Sequence, residues 1–108
     1  MFFRKKNLGN TNKLIGTWQV APNDDKAKEI YGDIKMIFKA DGNLIYEINT
    51  GEKSQYAFLI YSVENNFLIT DQKSHPEKVK TEFYFEDDKL ILIYDGIKSS
   101  FIKINDNY

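Results

Sequence analysis

The feature that most narrows what this chain can become is a turn signal that returns at nearly even spacing. From Asp33 onward, apolar and polar residues alternate in short runs, and each run stops at a cluster of Asp, Asn or Gly. Asp41-Gly42 separates "DIKMIFK" from "NLIYEIN", and Asp-Gly between alternating runs is the strongest short-range hairpin signal. Glu64-Asn65-Asn66 interrupts "YAFLIYSVENNFLIT", and Asp87-Asp88 interrupts "TEFYFEDDKLILIY". The turn centres near 41, 65 and 88 are 24 and 23 residues apart, a meander of three successive hairpins.

"GTWQV" before the hairpins and "IKSSFIKI" after them bring the strands to eight. Asn49-Thr50-Gly51, the stretch around Ser74-His75-Pro76, and Asp95-Gly96 supply the joining turns. An up-and-down series of this kind closes into a barrel, because closure removes the edges that would otherwise pair with other chains. The expected fold is all-β, a small eight-stranded antiparallel up-and-down barrel over residues 14–108, preceded by an arm over 1–13. One stretch breaks the alternation. "PNDDKAKEIYG", Pro22 to Gly32, predicts a short helix or loop with Asn23 as its cap, lying across one end of the barrel.

Other classes are excluded by composition. At 108 residues the chain has one core and no room for a second domain. Fifteen basic residues against sixteen acidic leave a net charge of -1, so no strong field draws in nucleic acid or an anionic membrane. No cysteine is present, which removes disulfides, thiol chemistry and zinc-thiolate sites. "MFFRKKNLGNTNK" lacks the apolar run of a secretory signal, and no stretch is apolar for the length of a membrane span. The expected location is cytoplasmic. Aromatic residues make up 15% of the chain, which favours pleated sheet.

Gly16-Thr17-Trp18 on the first strand, followed by a meander with an Asp41-Gly42 hairpin, resembles the lipocalin and calycin superfamily. "LIGTWQV" with "FKADGNLIYEI" is similar to the short bacterial lipocalin-like domains, and fatty-acid-binding proteins also begin with a Gly-Thr-Trp strand. The resemblance covers Leu14 to about Ile104. It implies that the Trp18 ring closes one end of the barrel beneath a cationic side chain. In the family that cation is an Arg near the last strand. The only Arg here is Arg4, so Lys98 or Lys103 takes the place over the ring. Read from the residues alone, a large ring after a glycine on the first strand is again an end plug.

The resemblance also implies a small apolar ligand inside the barrel. An eight-stranded barrel is just wide enough to be filled by its own side chains or to hold one small molecule. The residues expected inside are Trp18, Ile34, Met36, Phe38, Leu44, Tyr46, Tyr56, Phe58, Phe67, Phe83, Phe85, Leu90 and Leu92. So many rings predict a filled or nearly filled interior, with at most a narrow apolar cavity near Pro22–Gly32. The candidate ligand contacts are Met36, Phe38, Tyr46, Tyr56, Phe58 and Phe83, with the hydroxyls of Tyr46, Tyr56 and Thr81 as polar groups.

"YAFLIY" and "LILIY" are apolar on both faces, unlike a strand with one wet side. Leu59, Tyr61, Ile91 and Ile93 are therefore expected on the outside, covered by the arm with Phe2 and Phe3, by a second copy, or by another protein. With acidic tips at Asp24-Asp25 and Asp87-Asp88, this surface defines an alternative function, a protein-interaction barrel acting as an immunity or inhibitor protein or as a homodimer.

Chemistry is sparse. His75, before Pro76 in a polar loop, reads as a solvated turn residue rather than a haem ligand. The carboxylates at Asp24-Asp25, Glu29, Glu64 and Glu86-Asp87-Asp88 show no converging pair, and no phosphate loop, nucleophile triad or metal spacing occurs. The expectation is a non-enzymatic protein without cofactor or metal.

Overall fold

The computed structural model describes residues 13–49, 51–72, 74 and 76–105. Eight antiparallel strands close into a barrel in sequence order: β1 Gly16–Val20, β2 Asp33–Phe38, β3 Asn43–Asn49, β4 Ser54–Glu64, β5 Phe67–Asp71, β6 Val79–Glu86, β7 Lys89–Tyr94 and β8 Ile97–Asn105. β8 returns to pair with β1, so the expected up-and-down barrel is the fold. Its short helix, α1, spans Asp25–Tyr31 after the first strand. The arm with Phe2 and Phe3, and His75, lie outside the described residues.

Turn chemistry follows the local sequence. Asp87-Asp88 and Asp95-Gly96 carry positive φ at both residues, as two-residue hairpin loops require for the twist of their flanking strands. The first hairpin differs from its two-residue expectation. β2 ends at Phe38, and a four-residue loop runs to Gly42, whose φ is 90°. Asp41 Oδ1 accepts from the Asn43 amide at 3.1 Å, which turns the chain back. Gly16 has φ of 131°, a backbone state costly for any side chain, where β1 enters the barrel.

Helix α1 is capped by Asp24, not by Asn23. Asp24 Oδ1 accepts from the Ala27 amide at 3.1 Å, and Oδ2 accepts from the Ser100 amide of β8 at 2.8 Å. One carboxylate thus caps the helix and ties it to the barrel, while Ala27 buries itself in the core. This residue is structural, which removes it from the acidic interface drawn from sequence. Asp25, Asp87 and Asp88 are exposed as expected.

Strand β4 shows the main departure. Its pairing with β3 sets Leu44 opposite Leu59, Ile45 opposite Phe58, Tyr46 opposite Ala57 and Glu47 opposite Tyr56. Opposed residues share a face. Leu44 is fully buried, so Ala57, Leu59 and Tyr61 turn inward, while Tyr56 and Phe58 turn outward and are 56% and 65% exposed. The expected faces of β4 are reversed. The same holds for β5, where Leu68 is buried and Phe67 lies outside beneath Lys80 Nζ, 4.9 Å from its ring centre. A slip of one residue flips every side chain; the apolar middle of β4 hides the choice, and the local signal is Ser62 and Glu64, both exposed on the face of Phe58.

Candidate functional site

The inward positions divide the barrel into two layers. At the end bearing the β2–β3, β4–β5 and β6–β7 turns, Trp18, Phe38, Leu44, Tyr61, Leu68, Phe83 and Leu90 fill the interior. Trp18 Nε1 donates to the Leu14 carbonyl at 2.8 Å, its ring lies 6.0 Å from Phe85, and Lys103 Nζ sits 5.3 Å over it. Of the two lysines considered from sequence, Lys103 takes this place; Lys98 lies over Tyr84 instead. Tyr61 sets its ring edge-on to Phe38 at 5.1 Å and donates to the Lys39 carbonyl at 2.7 Å. This end is closed by aromatic packing with its polar atoms paired.

The opposite end, beside α1, holds a cavity of about 270 Å³. Ile34 and Met36 of β2, Leu59 of β4, Val79 of β6, Leu92 of β7 and Phe101 of β8 give it apolar walls. Tyr46, Thr70, Thr81 and Ser99 add hydroxyls, and Tyr94, half exposed, stands at the mouth. No lining residue carries a charge.

Why the space exists follows from β4 and β5. Sequence reading put the rings of Tyr56, Phe58 and Phe67 inside. The structure puts them outside and brings in Ala57, Leu59 and Leu68, which are smaller. On three other strands the inward side chains also lose bulk toward the open end: Leu68 to Thr70, Phe83 to Thr81, and Phe101 to Ser99. The expectation of a filled interior holds for one end only.

Of the six candidate ligand contacts, Met36 and Tyr46 line the cavity. Phe38 and Phe83 belong to the packed end, and Tyr56 and Phe58 to the outer surface. Leu59 and Tyr61, placed outside from sequence, are instead a cavity wall and a core residue. Sequence reasoning missed Thr70 and Ser99; a small hydroxyl residue two positions from a large apolar one on the inward face is the signal that would have found them. Ile91 is on the outer face yet only 5% exposed, and Ile93 is half-buried.

Tyr46 is the chemically distinctive wall residue. Its phenol has no hydrogen-bonding partner among the described residues, and burial alone pushes its pKa up to about 12. Every fully enclosed side-chain polar atom among the described residues is hydrogen-bonded. The Tyr46 oxygen is therefore not sealed in protein but faces the open space. Among the described residues, no cluster of His, Cys, Asp and Glu is gathered to hold a metal ion, and no helix is long and apolar enough to cross a membrane. Comparison with family models, curated proteins and solved structures finds no match to this chain.

Proposed function

We propose that the protein is a non-enzymatic, lipocalin-like binding barrel that holds a small apolar molecule at its open end. The observation that carries this reading is the asymmetry of the interior. The same eight strands pack one end solid and leave about 270 Å³ at the other, with uncharged walls and a few hydroxyls. Sites for small molecules have this composition, apolar surface with a few polar groups that set orientation. The volume is small, equal to about nine waters at liquid density, so the enclosed part of a ligand has roughly ten non-hydrogen atoms. Trp18 beneath a cation also matches the end closure that the resemblance implied. A cytoplasmic protein with no nucleic-acid partner remains part of this reading.

Native mass spectrometry of protein taken gently from its source tests it. An adduct of small mass, lost in Leu59→Phe, supports a ligand carrier. Leu59→Phe puts back into the cavity a ring of the kind β4 turns outward. A clean monomer that takes up no apolar probe of matching size in titration overturns it.

A second reading is favoured by one specific observation, the free half-edge of β4. Among the described residues, Ser54 to Leu59 pair with β3 alone, since β5 begins its pairing at Ile60. The Tyr61 amide donates to the Gly42 carbonyl, so alternation turns the amides and carbonyls of Tyr56 and Phe58 toward the unpaired side. Natural edges are blunted with charges or proline, but Ser54 to Val63 contains neither. A second copy would pair antiparallel here around a twofold axis, with Tyr56, Phe58 and Ile60 at the contact. Light scattering on native protein and Phe58→Lys decides it: a native dimer made monomeric by the charge supports the reading, and a native monomer overturns it.

A further inference from the structure

We infer that the cavity selects an uncharged ligand with one hydrogen-bond acceptor, met by the phenol proton of Tyr46. The inference rests on the reading of this space as a ligand site and says what kind of molecule fits it.

Two features of the wall carry it. None of the eleven lining residues is charged, so a carboxylate or ammonium group entering this space would leave water without an opposite charge to meet it. Burying an ion that way is far more costly than burying a neutral polar group. A fatty-acid anion is therefore a poor occupant, despite the resemblance to barrels that take one.

The second feature is Tyr46 itself. It stands on β3 opposite Met36 on one side and Ala57 on the other. Ala57 is the smallest inward side chain of β4, so the Tyr46 ring has no bulky cross-strand neighbour on that side. A buried phenol ordinarily finds a partner. This one has none among the described residues, and burial keeps its proton in place far above neutral pH. It is a donor without an acceptor, set in an apolar wall. A carbonyl, ether or nitrile oxygen or nitrogen on a small ring or short chain completes it. Thr70, Thr81 and Ser99 stand in the same wall and take a second, weaker polar contact.

The test uses acetophenone, cumene and benzoate, which share nearly one shape at about nine non-hydrogen atoms, the size set by the cavity. They differ in carrying a neutral acceptor, no acceptor, and a negative charge. Binding of each to the full chain is measured by calorimetry in the native protein and in Tyr46→Phe, which keeps the ring. The expected result is that the ratio of acetophenone to cumene affinity falls about tenfold in the variant, the effect of losing one neutral hydrogen bond. Benzoate shows no uptake in either. An unchanged ratio, or benzoate bound as tightly as acetophenone, overturns the inference while the ligand-site reading stands. If neither neutral probe binds the native protein, the ligand-site reading fails and this one with it. The native protein offers a readout that needs no variant: the carbonyl stretch of bound acetophenone lies below its frequency in hexane if the phenol donates to it. An unshifted stretch overturns the proposal.

Discussion

Met36 and Phe38 are neighbours on one face of β2, two residues apart and both fully buried, yet they belong to opposite kinds of interior. Around Phe38, rings from β1, β4 and β6 interlock and every polar atom has a partner. Around Met36, the facing strands contribute Thr70, Thr81 and Ser99, and space is left. The strands are the same in both halves. What differs is the side-chain volume offered at each level, so a barrel with one strand geometry contains both a packed core and an open site. Stability is expected to reside in the first half and function in the second.

Substitutions should separate the halves. The largest expected loss is Phe83→Ala in the packed end, about 3–5 kcal/mol by urea unfolding, because a buried ring leaves a void its neighbours cannot fill. Leu59→Ala, in the cavity wall, should cost about 2 kcal/mol, the low end of the range for buried leucine, since its atoms already border space. Equal losses at the two positions would break the comparison.

Asp24→Ala should also cost about 2 kcal/mol, because it removes both the helix cap and the anchor to Ser100. Hydrogen exchange should then quicken in α1 and at Ser100 and not in β6.

Tyr46→Phe should change stability at neutral pH by less than about 1 kcal/mol, as it removes a hydroxyl that has no protein partner. Its effect is on pH dependence. The phenol keeps its proton in the fold until about pH 12, whereas an unfolded tyrosine loses it near pH 10. The native state then holds more protons than the unfolded state, so stability falls as pH rises through this window. Tyr61 is raised in the same direction, by burial and by the nearby Asp41. Denaturant midpoints between about pH 10 and about pH 12 should fall less steeply in Tyr46→Phe than in the native protein. An identical slope would mean that Tyr46 does not titrate as its burial requires.

The smallest effect is expected at Phe58. It is the same residue type as Phe83 and was expected inside with it, but on the outer face its change to Ala should cost no more than about 0.5 kcal/mol. A loss near that of Phe83→Ala would place it inside after all.

Much of the barrel is legible in the chain itself. Asp87-Asp88 and Asp95-Gly96 announce their hairpins, because few residues tolerate the positive φ those turns need. Alternation also assigns Ile34, Met36 and Phe38 of β2 to the inside, since charged Asp33, Lys35 and Lys39 mark the other face. Trp18 after Gly16 reads as the end plug and is one.

A narrow cavity near Pro22–Gly32, with Met36 and Tyr46 in its wall, was legible; which residues of β4 and β5 complete the wall was not. In the middle of β4, Tyr56, Phe58 and Ile60 are as apolar as Ala57, Leu59 and Tyr61, and ring size suggested the wrong set; the polar marks lie toward the strand's end, where Ser62 and Glu64 share the face of Phe58. Pairing with β3 assigns the middle of the strand the same way. Leu44 must be inside, Leu59 lies opposite Leu44, and the rest of β4 follows. Local sequence determined the strands, their turns and the closed end, because those depend on neighbours in the chain. Tertiary pairing decided the open end, because a cavity is what facing strands leave between them.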